Sequence, residues 1–139
     1  MKVLLIGGAG FIGSHMVKLL GQQNSSVTTL DDLSAGHRDA VLTGDFVLGS
    51  CGDRHVLDSV LAKGFDAVMH FASFIQVGES VQHPDKYYQN NVVNTQRFLL
   101  SALAYYPFGR ISLQYGRDTE IKNGFIETRR LAIRYTTEF

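Results

Sequence analysis

The sequence predicts an α/β fold built on a doubly wound parallel sheet. Three observations carry this expectation. Short apolar runs alternate at regular spacing with amphipathic helical stretches over the first hundred residues, the first run ends in a cluster of glycines, and the second ends in a carboxylate. Such alternation lays parallel strands side by side, with right-handed crossovers carrying helices over both faces of the sheet.

Each element has its own signal. Val3-Leu4-Leu5-Ile6 is a continuous apolar run stopped by glycine, as in a strand buried on both faces. In the helical stretch that follows, Phe11, Ile12, His15, Met16, Leu19 and Leu20 recur at three-to-four spacing, with Gly21 near its end. Ser26–Leu30 reads as a second strand, Asp31–Arg38 as a polar loop, and Asp45–Gly49 as a third strand. Asp53 suits the N-cap of a helix through Val56, Leu57, Val60 and Leu61 that Gly64 closes. Asp66–Phe71 is the fourth strand, and Pro84 opens a long helix to about Ala104, with Tyr87, Tyr88, Asn91, Thr95, Phe98 and Leu99 along one side.

After Ala104 the pattern loosens. Tyr105-Tyr106-Pro107-Phe108-Gly109 breaks the helix, the alternation of Ile111, Leu113 and Tyr115 suggests a fifth strand, and Leu131, Ile133 and Tyr135 alternate again without a helix after them. Composition shifts at the same place: residues 1–104 carry 7 basic and 9 acidic side chains, residues 105–139 carry 6 and 4. The expected organisation is therefore one domain over 1–104 and a divergent tail over 105–139, a fifth strand followed by irregular chain.

The 139 residues are 45 % hydrophobic and 19 % charged, enough for a single globular domain with a buried core. Basic and acidic side chains balance at 13 each, which gives no ground for a nucleic-acid partner. No run approaches the roughly 18 apolar residues of a membrane span, and the stretch after Lys2 is too short for a signal-peptide core. Cys51 is the single cysteine and fits a reducing compartment, so a cytoplasmic location with no membrane partner is expected. His15, His37, His55, His70 and His83 show no ligand-like pairing, and no metal is assigned. His70, ending an apolar strand, reads as a packed core histidine.

The sharpest signal is Gly7-Gly8-Ala9-Gly10-Phe11-Ile12-Gly13, between the first strand and the first helix. A dinucleotide loop needs glycine to turn tightly out of the strand, to let the backbone approach a pyrophosphate, and to pack helix on strand. The pyrophosphate then lies at a helix N-terminus, where unpaired N–H groups and the helix dipole favour an anion. Asp31, 18 residues past Gly13, stands where a carboxylate accepts from the adenosine ribose hydroxyls and repels the extra phosphate of NADP. The expected cofactor is NAD, on a Rossmann-like domain. A bare glycine turn, or an Asp31 that only caps its loop with Asp32 alongside, is the alternative.

Gly7–His15, Leu30-Asp31-Asp32-Leu33-Ser34-Ala35-Gly36, His70-Phe71-Ala72-Ser73, Val77-Gly78-Glu79-Ser80-Val81 and Tyr87-Tyr88-Gln89-Asn90-Asn91-Val92 with Thr95 resemble the extended short-chain dehydrogenases/reductases, and among them the UDP-glucose 4-epimerases. The resemblance covers residues 1 to about 103. It implies that Gly7, Gly10 and Gly13, with the backbone of Phe11 and Ile12, hold the diphosphate of NAD. It places Asp31 on the adenosine ribose, with Asp32 where the family usually has asparagine and Ser34 in the same loop. Ser50 and Cys51 take the adenine edge, where aspartate is the commoner first residue. Phe71, Ala72 and Ser73 pass along the middle of the cofactor, Asn91 approaches it from the long helix, and Ile75 stands where some members place a lysine.

The implied chemistry interconverts UDP-glucose and UDP-galactose, the currency of galactose metabolism, through a 4-keto intermediate. A tyrosine acts as base, with a lysine four residues on. Here Tyr87, Tyr88, Tyr105, Tyr106, Tyr115 and Tyr135 are followed at that distance by Asn91, Val92, Gly109, Arg110, Thr119 and Phe139, so no catalytic residue is assigned. The expectation is an inactive N-terminal fragment with a truncated sheet, taking a UDP-sugar only if the other half is supplied, its tail the product of a shifted frame. A non-catalytic NAD-binding module, another NAD-dependent sugar-nucleotide epimerase or dehydratase, and a remnant that binds nothing are the alternatives; a homodimer through the long helix is left open.

Overall fold

The computed structural model describes residues 1–106, 109–118 and 128–137, the last two segments as backbone only. Four parallel strands, β1 (Lys2–Ile6), β2 (Ser26–Asp31), β3 (Asp45–Leu48) and β4 (Ala67–His70), lie in the order β3-β2-β1-β4. Leu4 is in register with Thr28 on one side and Val68 on the other. The chain leaves β1 towards β2 and later crosses back to β4, so the order reverses at β1. In open α/β sheets the crevice at such a reversal, beyond the carboxyl ends of the strands, is where ligands bind.

Strand parity divides the core into two layers. Leu4 and Ile6 of β1 pack with Leu30, with Leu57, Val60 and Leu61 of helix α2 (Arg54–Leu61), and with Phe98 of helix α5 (Thr95–Tyr105). Val3 and Leu5 turn to the other face, against Val17 and Leu20 of helix α1 (Phe11–Gln22), Val27 and Val41. Covering both faces is what allows β1 to be apolar from Val3 to Ile6. The doubly wound architecture is as the sequence predicts.

Two helical features depart from the expectation. The segment before Pro84 forms a short helix α3 (Val77–Gln82), which glycine and two valines conceal from propensity. It is pinned instead by Glu79, which accepts from Lys86 Nζ (2.6 Å) and Tyr87 Oη (2.8 Å). The long helix is continuous but not uniform: α4 (Pro84–Tyr88) passes through a π-helical stretch, Gln89–Asn94, into α5. Tyr106 anchors its end by donating to the carbonyl of Leu61 (2.9 Å) and accepting from the N–H of Phe65 (3.1 Å).

The tail contributes two strands. β5 (Gly109–Asp118) and β6 (Thr128–Thr137) pair antiparallel along their length, and β6 joins β4 through Ala67 opposite Thr136 and Val68 opposite Tyr135. The second alternating stretch is thus a strand where irregular chain was expected. An unpaired β4 edge has backbone groups to satisfy, and β6 meets them. Residues 107–108, 119–127 and 138–139 lie outside the described residues.

Asp53 caps α2, its Oδ1 accepting from the N–H groups of His55 (2.9 Å) and Val56 (3.4 Å). Asp53→Ala is expected to cost about 1 kcal/mol of stability, typical of a lost N-cap, read as a lower urea midpoint at unchanged slope.

Candidate dinucleotide site

The site begins where β1 stops. Gly7 takes φ +79° and donates to the carbonyl of Leu30 at 2.8 Å; a Cβ there would come within 2.5 Å of the Ala72 nitrogen. The turn out of β1 therefore passes directly against the loop after β4. A Cβ on Gly13 would collide with the Gly7 carbonyl, so α1 sits flush on the turn. Gly10 is different. Its φ of −74° and ψ of 173° suit any residue, and an added Cβ would meet only the Gly7 oxygen, at an ordinary 3.5 Å. The fold has no need of glycine at position 10. What glycine leaves there is open space in front of the helix.

That helix end is built to meet an anion. Gly10 is the N-cap and supplies no side-chain acceptor, and the first turn holds no acidic residue. The first N–H groups of a helix have no intrahelical partner, and their dipole favours negative charge.

Asp31, which lines the same cleft, is buried, at 8 % exposure. Its Oδ2 accepts from the Ala9 N–H (2.9 Å) and its Oδ1 from the Leu33 N–H (2.8 Å). Through Leu33 it caps its own loop, the role the sequence left open, and through Ala9 it also braces the glycine loop. Asp32 Oδ1 accepts from the Ser34 N–H (2.9 Å), and the loop closes back on Ala9 through the His37 N–H (3.1 Å).

Together these segments line a cleft of about 400 Å³. Of the residues singled out in the sequence, Gly7, Gly10, Phe11, Ile12, Gly13, Asp31, Asp32, Ser34, Cys51, Phe71, Ala72 and Ser73 line it. Ser50 and Asn91 do not. The Ser50 hydroxyl is turned to its own loop, accepting from the Gly52 N–H (3.1 Å). Asn91 is occupied by the backbone of Phe74, while its neighbour Asn90 lines the cleft in its place. The Asn-Asn pair was the signal, but the π-helical turn carrying it decides which amide faces which way. Gly49, Phe74 and Gln76, which no motif marks, also line the wall, together with Ile75.

Neither tempting nucleophile nor base is charged here. Burial, with Asp32 and then Asp31 nearby, pushes the Cys51 thiol up to about 11. His70 Nε2 is 2.9 Å from Thr95 Oγ1, its ring lies tilted against Phe98, and burial lowers it to about 4. His70 is the packed, hydrogen-bonded histidine that its strand position suggests. A glycine at position 10 that the fold does not require, an uncapped helix N-terminus and a buried carboxylate lining the same cleft fit a dinucleotide.

This arrangement defines a class, and the sequence agrees. The profile of the NAD dependent epimerase/dehydratase family matches residues 3–134, and the chain belongs to that family. The match runs past residue 103, where the motif resemblance stops, and takes in β5 and most of β6. Among individual relatives, the UDP-glucose 4-epimerase of Halalkalibacterium halodurans is 38 % identical over 126 residues, 87 % of this chain and 38 % of that protein. That of Rhizobium meliloti is 44 % identical over 104 residues, 74 % of this chain and 32 % of the relative. In three dimensions, UDP-glucose 4-epimerase from Brucella ovis in complex with NAD superposes with a TM-score of 0.73 at 48 % identity, over 75 % of this chain and 32 % of that one. The chain spans about a third of the length of the relatives it matches.

Two outcomes follow. His70 binds its proton less readily folded than unfolded, so the unfolded state carries the extra proton between its ordinary 6.5 and about 4. Stability is therefore expected to fall as pH drops through that window. Urea midpoints measured from pH 7 to pH 4 test this, with His70→Gln flattening the slope. Gly13→Ala is expected to lower stability by more than 1 kcal/mol through its backbone clash, whereas Gly10→Ala leaves the melting temperature near that of the unsubstituted chain.

Proposed function

We propose that this chain is the NAD-holding unit of a UDP-glucose 4-epimerase and that on its own it performs no epimerisation. The observation that carries the reading is the pairing of open space at Gly10, before an uncapped helix, with the buried carboxylate of Asp31. The backbone N–H groups of Phe11 and Ile12 take the diphosphate. Asp31 takes the adenosine ribose, Gly49 and Cys51 border the adenine, and Phe71, Ala72 and Ser73 run along the middle. Bound NAD supplies a reversible hydride acceptor for the sugar C4 position. The cytoplasm, where NAD and nucleotide sugars meet, is the setting.

Removing the proton of a C4 hydroxyl needs a base of suitable pKa within hydrogen-bond reach. Cys51 and His70 are protonated and neutral respectively at pH 7, and no tyrosine here has a lysine four residues on. This chain thus binds and orients, and a UDP-sugar is turned over only where further residues supply the acid–base pair.

Calorimetric titration with NAD and with NADP tests the reading. NAD is expected to bind at least about tenfold more tightly, a difference of 1.4 kcal/mol, because the NADP 2′-phosphate meets the carboxylates of Asp31 and Asp32. Gly10→Val is expected to abolish binding while the chain remains folded. A folded chain that takes neither nucleotide refutes the proposal, and so does conversion of UDP-glucose to UDP-galactose by the chain and NAD alone.

A further inference from the structure

One wall of the cleft is the loop Phe71–Gln76, which belongs to no strand or helix. A loop in that position needs something to hold it. Asn91, outside the cleft, does so at Phe74: its Oδ1 accepts from the Phe74 N–H (2.9 Å) and its Nδ2 donates to the Phe74 carbonyl (2.9 Å). One carboxamide thereby satisfies both backbone groups of one residue, as a neighbouring strand would. The amide orientation follows from its partners, because the Phe74 N–H can only donate and its carbonyl only accept.

The surrounding groups tighten the same point. Asn90 Nδ2 donates to Asn91 Oδ1 (2.9 Å) and approaches the Ala72 carbonyl (3.4 Å). The Phe74 ring is met edge-on by Tyr87 and faced by Lys86 Nζ at 4.9 Å, and both of those residues are held by Glu79. The π-helical stretch lets two successive side chains, Asn90 and Asn91, reach one loop, and such turns often mark functional sites.

We infer that Asn91 is a positioning residue for the dinucleotide: it never touches the ligand, but through Phe74 it fixes the wall against which the ligand is held. This rests on the NAD reading above.

The test compares Asn91→Ala and Asn91→Asp in the full chain, following NAD affinity by calorimetry, global stability by urea, and hydrogen exchange at the Phe74 amide. Asn91→Ala is expected to weaken NAD about tenfold at every pH and to expose the Phe74 amide, with a much smaller proportional change in the urea midpoint. Asn91→Asp is the informative variant. As a carboxylate it faces the Phe74 carbonyl with no proton to give, whereas as a carboxylic acid it both donates and accepts. Its deficit relative to the unsubstituted chain is therefore expected to be near tenfold at pH 8 and to shrink towards pH 5, a dependence that simple loss of packing would not produce. Unchanged NAD affinity in Asn91→Ala overturns the inference, as does a pH-independent deficit in Asn91→Asp. Failure of the unsubstituted chain to bind NAD overturns the cofactor reading instead, and a Phe74 amide still protected in Asn91→Ala then removes the bracket itself.

Discussion

The structure depends on how closely the turn after β1 backs onto the turn after β4. Gly7 can lie against the amide of Ala72 only because it lacks a Cβ, and that approach brings the glycine loop and the cleft wall into one crevice. The rest follows from it. Gly13 lets α1 sit down on the Gly7 carbonyl, which aims the helix N-terminus into the crevice, and Asp31 reaches over to hold Ala9. A bulkier residue at position 7 would also have to adopt a left-handed φ, so sterics and backbone strain penalise the same change.

The cleft is lined largely by glycines and apolar residues. Its anion-facing donors are main-chain N–H groups, its wall is an irregular loop, and its side-chain charge is confined to Asp31 and Asp32. The two other ionisable groups nearby, Cys51 and His70, are kept neutral by burial. A surface of this kind suits holding a charged, extended ligand. Acid–base chemistry would need a group that changes protonation near neutral pH, and neither of these does.

Much of this was legible in the sequence because it rests on local rules. Strand parity, the glycine spacing and the acid after β2 each require particular residues within a few positions, and they located all four parallel strands and, in the cleft, Gly7, Gly10, Gly13 and Asp31, whereas Ser34, Cys51, Phe71, Ala72 and Ser73 came only from the family resemblance. What escaped was decided by distant contacts. Helix α3 is assembled by Glu79 meeting Lys86 and Tyr87 against poor propensity, and β6 is recruited by the open edge of β4. The choice between Asn90 and Asn91 turns on a π-helical register that hydrophobic periodicity does not encode. Ser50, which the family resemblance implies for the adenine edge, accepts from the Gly52 N–H through its hydroxyl.

Asp31 carries one further consequence, a matter of counting lone pairs. A carboxylate offers about four acceptor positions. The Ala9 and Leu33 N–H groups take two, one on each oxygen. Two are left, one per oxygen, and a ribose presents two adjacent hydroxyls. The loop that shapes the cleft thus uses half the valence of its acid and leaves the half that a vicinal diol can fill. A sugar with one of those hydroxyls replaced by hydrogen leaves one acceptor unanswered in a buried setting. Under the proposed NAD reading, discrimination between ribose and deoxyribose would fall to the same side chain that keeps the glycine loop in place.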